Sequence, residues 1–167
     1  MWDLRDLSNI IHIQPLTAQD FAPFGDVLSF DGVPDKMINQ GLCGRYHDRA
    51  SLTQIDGKAG ISLFDAEPRD LPYQLDLLER HPLGSQAFIP MSEHPFLVIV
   101  ARDEDGRPAT PLAFITEPHM GVNYHAGIWH GVLTPLHAPG RFAVIDRIGE
   151  GANLEEFWLE EPYQIIS

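Results

Sequence analysis

Short apolar runs alternate with polar residues along most of the chain, and Gly, Pro, Asn and Asp separate the runs. Strict alternation is typical of half-buried strands, and no segment sustains the apolar spacing of a helix. The pattern predicts strands over residues 11–16, 26–30, 60–65, 73–77, 88–90, 96–101, 112–116, 131–136, 142–147 and 157–160. Thr17 and Asp20 have the spacing of a helix cap and predict one helical turn between the first two strands.

Many short, evenly spaced strands, with 14 Gly and 14 Pro in the chain, predict an all-β sandwich or closed barrel. A length of 167 residues predicts one domain over residues 1–167. Residues 37–48 break the pattern and are rich in Gly and polar groups. They are predicted to be an irregular loop, either over a site or simply on the surface.

The charge balance narrows the possible partners. The chain has 24 acidic residues against 11 Lys and Arg, a formal net charge of −13. Nucleic acids and anionic membrane surfaces attract clustered basic residues, so neither is an expected partner. No apolar run is long enough to span a bilayer, and the start of the chain lacks the pattern of a signal peptide. A cytoplasmic protein is therefore expected.

A first polar cluster contains Glu79, Arg80, His81 and Gln86. In a strand, Glu79 and His81 project to one face and Arg80 to the other. The chain turns at Pro82 and Gly84, so that Gln86 begins the next strand and can converge with Glu79 and His81. The alternative is that Glu79 and Arg80 are surface charges and His81 is a buried core histidine.

A second polar cluster extends from Gly121 to His130, with a tight turn predicted at Gly127. The spacing of His125, Gly127 and His130 resembles the second cupin motif, with His125 in place of its proline. The spacing of Glu79, His81 and Gln86 similarly resembles the first cupin motif. Glu79 replaces its first histidine and Gln86 its glutamate, so two of the four expected metal ligands differ in type. The two clusters are predicted to face each other inside one β-barrel.

The chain resembles the ureidoglycolate lyase family over nearly its whole length. The matching segments are residues 38–39, 41–42, 45–48, 78–91, 121–125, 129–130 and 145–147. The resemblance implies a cupin-like antiparallel β-barrel of the jelly-roll type, a cytosolic homodimer, and cleavage of (S)-ureidoglycolate to glyoxylate and urea. A homodimer would also cover exposed strand edges and the apolar ends of the chain.

This chemistry needs a base for the hydroxyl proton, an acid for the leaving nitrogen and a group that holds the carboxylate. The expected acid and base are His81 and His125, and Glu79 is expected to assist one of them or to bind a metal. Arg45 is expected to pair with the carboxylate. The remaining candidates are amides that can hydrogen-bond the ureido group: Asn39, Gln86 and Asn123.

Glu79, His81, Gln86 and His130 occupy the four places where a cupin holds its ion. The set predicts a weakly held divalent metal such as nickel, zinc or manganese, and no organic cofactor. The alternative is that the same groups bind the substrate directly. Two other functions remain open at this point: an amidohydrolase that releases ammonia and carbon dioxide, and a non-catalytic cupin that binds a small acid.

Overall fold

The computed structural model describes residues 9–167, and strands dominate this part of the chain. The strands are β1 (Ile10–Pro15), β2 (Gly25–Leu28), β3 (Lys36–Ile38), β4 (Cys43–Arg45), β5 (Lys58–Ala66), β6 (Tyr73–Arg80), β7 (Gln86–Pro90), β8 (Phe96–Ala101), β9 (Asp103–Glu104), β10 (Arg107–Pro108), β11 (Leu112–Ile115), β12 (Gly121–Tyr124), β13 (Trp129–His130), β14 (Thr134–Pro135), β15 (Gly140–Ile148) and β16 (Glu155–Ile166). The helix α1 (Ala18–Phe21) follows β1, and a 3₁₀ turn (Asn39–Gly41) joins β3 to β4. The predicted all-β class is confirmed.

Six strands form a sheet that closes on itself. Their order is β11, β1, β16, β6, β13 and β8, and β8 pairs with β11 to complete the ring. The ladders between them are antiparallel except those of β1, which runs parallel to both β11 and β16. The predicted barrel is therefore confirmed, and it is mixed rather than purely antiparallel. Alternation predicts a strand but not the direction of its neighbours, so this exception could not be predicted.

A second sheet packs against the closed one, with the strand order β2, β12, β7, β15 and β5. Strand β8 contributes to both hydrophobic cores. Val98 and Val100 pack between the two sheets, whereas Leu97, Ile99 and Ala101 fill the interior of the ring. A strand buried on both faces reads as a continuous apolar run, which explains the unbroken apolar sequence of β8.

The predicted helical turn is present and capped. Thr17 Oγ1 accepts a hydrogen bond from the backbone N–H of Asp20 at 3.1 Å, and its hydroxyl donates to the Asp20 carboxylate at 2.7 Å. The turn ends in Phe21, which is fully buried in the core between the sheets. The cap and this anchor fix the path of the chain from β1 into β2.

Two segments differ from their predictions. Residues 37–48 are not simply irregular, because β3 and β4 pair as an antiparallel hairpin around the 3₁₀ turn. Residues 131–136 do not form one strand; β13 and β14 instead follow each other along the same edge of β8. These strands are two or three residues long, too short for alternation to reveal them.

Across residues 9–167, the helical segments are too short and too polar to cross a lipid bilayer.

Candidate functional site

Two neighbouring strands of the closed sheet place Glu79 beside His130. These residues lie directly opposite each other in the ladder between β6 and β13, so their side chains project to the same face. That face is turned toward the second sheet, where the ring of Tyr124 stacks on His130. The adjacent Trp129 points the other way, into the core of the ring. His81 lies just beyond the end of β6 and joins this group.

Glu79, His81 and His130 form a compact group, which we call the tripod. One ligand atom from each residue lies within 4.8 Å of the other two, and Glu79 Oε1 is 4.0 Å from His81 Nε2. The side chain of Glu79 is 21% exposed and that of His81 19% exposed, whereas His130 is buried. The tripod therefore extends from the core between the sheets to the partly exposed side chains of Glu79 and His81. The predicted convergence of these residues is confirmed.

Hydrogen bonds define the tautomers of both tripod histidines. His81 Nδ1 lies 2.7 Å from the backbone carbonyl of Asn153, and His130 Nδ1 lies 2.9 Å from that of Gly131. A carbonyl can only accept, so each Nδ1 carries the proton and each Nε2 presents a lone pair. Both Nε2 atoms are buried without a hydrogen-bond partner among the described residues. Two unpartnered lone pairs thus face the carboxylate of Glu79.

The electrostatic environment keeps His130 neutral. Burial lowers its pKa to about 3, and nearby His81 contributes in the same direction, while the bond to Gly131 opposes the shift. Burial raises the pKa of Glu79, the charge of His81 lowers it in part, and Glu156 raises it further. A neutral imidazole is the form that binds a metal ion. A cation placed beside a partly desolvated carboxylate stabilises its charged form.

The tripod fits a divalent metal ion. Ions of this kind lie about 2.1 Å from nitrogen and carboxylate ligands, so ligand atoms around one ion are at most about 4.2 Å apart. A small closure of the tripod meets this limit. Each histidine already donates its other ring N–H to a backbone carbonyl, the arrangement that orients metal-binding imidazoles. Two imidazoles and one carboxylate suit zinc, nickel or manganese.

Gln86 and Tyr124 form the opposite wall of the site. They face each other in the ladder between β7 and β12. Gln86 donates from Nε2 to Asp146 at 3.3 Å, and its Oε1 is buried without a partner in the described structure. The predicted fourth member of the site therefore offers a free amide oxygen. Burial raises the pKa of the Tyr124 hydroxyl, and the charge of Glu79 adds to this effect.

His125 and Asn123 belong to a separate cluster around Asp26. The Asp26 carboxylate accepts from Asn123 Nδ2 at 2.9 Å, from the N–H of Ser51 at 2.9 Å and from His125 Nε2 at 3.1 Å. Asn123 and Tyr124 are adjacent in β12, so Asn123 points away from the tripod. The two predicted clusters therefore meet through the stack of His130 on Tyr124 and through the backbone hydrogen bond from Gly127 to His81.

The Asp26 cluster is well satisfied except at one atom. Burial raises the pKa of Asp26, but the hydrogen bonds from Asn123, Ser51 and His125 together outweigh it and hold the pKa below its ordinary value. Asn123 is fully buried, and its Oδ1 has no partner among residues 9–167. His125 is partly exposed. Its Nε2 contacts the Asp26 carboxylate, and its Nδ1 has no hydrogen-bond partner among the described residues. Asn123 thus supports Asp26 and does not itself reach the tripod.

The predicted carboxylate and ureido ligands Arg45 and Asn39 lie on the hairpin of β3 and β4. Both side chains are exposed. The hairpin belongs to neither large sheet, and no hydrogen bond or ion pair joins these two residues to the tripod in the described part of the chain. Their predicted roles as substrate ligands stay predictions.

The sequence reasoning missed two residues that position the histidines. Asn153 holds His81 through its carbonyl, and its side-chain oxygen accepts from the N–H of Leu83 at 2.7 Å. Asp26, on the strand beside β12, holds His125 through its side-chain carboxylate. Both contacts join parts of the chain that are far apart in sequence, and no local spacing indicates them. The only sequence signal for either residue was the position of Asn153 in the turn before β16.

A closed β-barrel packed against a second sheet, with two imidazoles and a carboxylate between them, defines a cupin-like protein of the kind that binds or converts small molecules. Sequence comparison identifies the family. The ureidoglycolate lyase family profile matches residues 8–166, and the chain belongs to this family.

Relatives of known name agree with this assignment. The chain is 60% identical over 151 residues to the ureidoglycolate lyase of Rhodobacter capsulatus, which covers 90% of this chain and 94% of the relative. It is 51% identical over 155 residues to ureidoglycolate lyase 2 of Rhizobium meliloti, covering 92% and 95%. It is 43% identical over 162 residues to the ureidoglycolate lyase of Agrobacterium fabrum, covering 95% and 97%. The similarity spans the tripod and its supporting strands.

Proposed function

We propose that this chain cleaves ureidoglycolate to glyoxylate and urea. The observation that carries the proposal is the tripod, in which two buried imidazole lone pairs and a carboxylate converge between the sheets. Family membership supplies the substrate class. A small polar substrate suits a site that opens to the surface through Glu79 and His81.

The reaction moves one proton and breaks one bond. The hydroxyl group on the central carbon loses its proton, its oxygen forms a carbonyl, and the bond from that carbon to the ureido nitrogen breaks. The electron pair of this bond goes to the nitrogen, which takes up the proton and departs as urea. One proton leaves oxygen and one arrives at nitrogen, so a single acid–base group can serve both steps.

The tripod would hold a divalent ion such as nickel, zinc or manganese. When bound, the ion would lower the pKa of the substrate hydroxyl and stabilise the developing negative charge on its oxygen. His81 and His130 contribute neutral nitrogens, and Glu79 contributes the only charged ligand. Gln86 Oε1, which lacks a partner among the described residues, accepts from a ureido N–H and orients the leaving group.

In this proposal the substrate extends from the tripod to the neighbouring Asp26 cluster, where His125 carries the proton. The turn after β12 docks on the site, because the N–H of Gly127 donates to the carbonyl of His81 at 2.9 Å. Asp26 binds the Nε2–H of His125, so Nδ1 is the atom that accepts the hydroxyl proton and returns it to the ureido nitrogen. Asn123 and Ser51 hold Asp26 in place. Asp26 therefore positions the proton carrier.

We also propose that the enzyme is a cytoplasmic homodimer. The outer face of the five-stranded sheet exposes Ile61 at 75% and Leu63 at 74% of their surface, and Ile89 lies on the same face. Contiguous apolar side chains of this kind mark interaction surfaces. A second copy related by a twofold axis would cover the patch.

Product analysis tests the proposed activity. Purified protein is incubated with racemic ureidoglycolate, and glyoxylate, urea and ammonia are each followed with time. Equal amounts of glyoxylate and urea are expected, from one enantiomer only. Ammonia in place of urea would identify an amidohydrolase instead. Saturable binding of ureidoglycolate without turnover would identify a binding protein.

A further inference from the structure

The hairpin of residues 36–45, which we call the arm, stands apart from the body of the protein. Its strands pair only with each other, with Lys36 opposite Arg45. The tip turns through left-handed conformations at Asn39, Gln40 and Gly41. No extensive packing joins the arm to any other strand or to the helix within residues 9–167. A two-stranded hairpin of this size is marginally stable alone in water, so the arm needs a surface to lie on.

The base of the arm is nevertheless well anchored. Asp35 accepts from the N–H of His47 at 2.9 Å and from Arg49 at 3.0 Å. Tyr46 packs edge-on against Phe30, with ring centroids 5.4 Å apart. These contacts bring the two ends of the arm together and aim it in one direction. The arm is therefore an anchored hairpin and not an unanchored loop.

The chemistry of the arm complements a second copy of this chain. Leu42 is 85% exposed and Met37 53% exposed, whereas the arm has two basic residues and no acidic one. Lys36 and Arg45 are like charges in opposed positions, an arrangement that is unfavourable unless an anion lies nearby. The chain as a whole has a formal net charge of −13 and an exposed apolar sheet face. A cationic, apolar-tipped arm fits such a surface.

The arm leaves from the end of the sheet that is remote from its own tripod. Strand β2 pairs with β12 so that Gly25 is opposite Tyr124 and Leu28 is opposite Gly121. Tyr124 marks the end with the tripod, because it stacks on His130. The chain runs along β2 for about 10 Å away from this end before the arm begins. The strand that precedes the arm therefore leads away from the tripod of its own copy.

Within the described residues, no arginine or lysine side chain pairs with a tripod group, so none is shown to hold a substrate carboxylate there. Arg80 is bound by Asp103 and Glu155, and Arg147 donates to three backbone carbonyls. Glu79 offsets part of the charge of a divalent ion held in the tripod, so an arginine supplied from elsewhere would strengthen the hold on the substrate carboxylate.

We propose that each arm lies across the outer face of the partner's five-stranded sheet and brings Arg45 to the substrate carboxylate in the partner's site. This inference rests on the proposed function. A twofold axis through that face places the end of the sheet next to the arm in one copy beside the end next to the tripod in the other copy. The same contact then forms twice, once for each arm. Arg45 then pairs with the carboxylate through two parallel hydrogen bonds, and each active site contains residues from both copies.

Mixed dimers test this arrangement. Arg45→Ala is combined with His130→Ala in one dimer, isolated with two different affinity tags. The copy with Arg45→Ala has an intact tripod and receives Arg45 from its partner, so about half of the wild-type kcat is expected per dimer. A mixed dimer no more active than the Arg45→Ala homodimer would overturn the proposal. Glu79→Ala replaces His130→Ala if the latter does not fold.

The reciprocal dimer is the matched control. It pairs a wild-type copy with a copy that has both substitutions, so the same residues are changed in a different distribution. Here the wild-type tripod receives no Arg45, and activity is expected to fall at least tenfold below half of the wild-type value. If the reciprocal dimer instead keeps half of the activity, Arg45 acts within its own copy and the inference is wrong.

A structural measurement separates this inference from the proposed activity. Leu42→Glu places a charge at the tip of the arm, and light scattering at micromolar protein reports the mass. A shift from dimer to monomer is expected, with circular dichroism unchanged. An unchanged dimer would contradict the docking of the arm, whether or not the wild-type protein cleaves ureidoglycolate. If Leu42→Glu shifts the mass from dimer to monomer but the wild type does not cleave ureidoglycolate, only the proposed activity is contradicted.

Discussion

The ring of His130 lies face to face with the ring of Tyr124, with centroids 4.3 Å apart and planes inclined by 2°. The stack joins the two sheets, because His130 lies on β13 and Tyr124 on β12. The Gly131 carbonyl holds the Nδ1–H of the same imidazole. Together the two contacts leave Nε2 directed at Glu79 and His81. Tyr124 is therefore a positioning residue and not only part of the core.

Two substitutions of Tyr124 should separate the effect of its ring from the effect of its hydroxyl group. Tyr124→Phe keeps the stack and should bind zinc or nickel as the wild type does. Tyr124→Leu loses the stack and should lower the free energy of unfolding by about 2 kcal/mol and weaken metal binding roughly tenfold. Urea denaturation and calorimetric titration measure the two effects. Equal metal affinity in both variants would show that the stack does not orient His130.

Asn153 should control the orientation of His81. Asn153→Ala removes the bond to the N–H of Leu83 and loosens the carbonyl that binds His81. Metal affinity should then fall by roughly 10- to 100-fold, as when other outer partners of metal ligands are lost. Asn153→Asp keeps the acceptor and should restore most of the affinity. Loss of affinity to the same extent in both variants would refute the positioning role.

The local spacing of residues was enough to predict the tripod. It could not predict contacts between segments that are far apart in the sequence. Glu79 and His81 are two residues apart in one strand, and His130 follows a turn that Gly127 makes recognisable. Asp26 and Asn153 carry no such signal, because each meets its histidine only after the sheets have assembled. Alternation likewise predicted the barrel but not the parallel ladders of β1.

The same limit applies to the arm. Arg45 was assigned to the substrate because its segment is rich in polar groups, which is typical of a loop over a site. The sequence does not show that β2 leads this segment away from the tripod of its own copy. The register of β2 against β12 decides that question, and register depends on tertiary packing.

Arg80 should matter for stability and not for catalysis. Its guanidinium lies over Trp129 at 4.3 Å and binds Asp103 and Glu155, on the face opposite to the tripod. Arg80→Ala should lower the free energy of unfolding by about 2 kcal/mol while kcat stays within about twofold of wild type. Denaturant titration and initial rates below the unfolding transition test this. A large loss of kcat in the fully folded Arg80→Ala variant would contradict this prediction.

Stability of the metal-free protein should fall as the pH is lowered from about 6.5 to about 3. The pKa of His130 is about 3 in the folded protein and about 6.5 in an unfolded chain. Between these values the unfolded state binds more protons, so acid favours unfolding. Glu79, whose pKa is raised, acts in the opposite sense. His130→Gln should flatten the dependence; an unchanged pH profile in this variant would refute the assignment.

Metal binding tests the tripod as the seat of catalysis most directly. The protein is stripped with chelator and shown by elemental analysis to be free of metal. Binding of nickel, zinc and manganese is then measured by calorimetry beside the rate of glyoxylate release. The variants are His130→Ala and, as a control, His137→Ala, which changes an exposed histidine.

Wild type and His137→Ala should each bind one of these ions and should regain activity on its addition. His130→Ala should bind it at least roughly 100-fold more weakly and recover no activity. Full glyoxylate release by verified metal-free wild type, unchanged by any added ion, would contradict a metal-binding tripod.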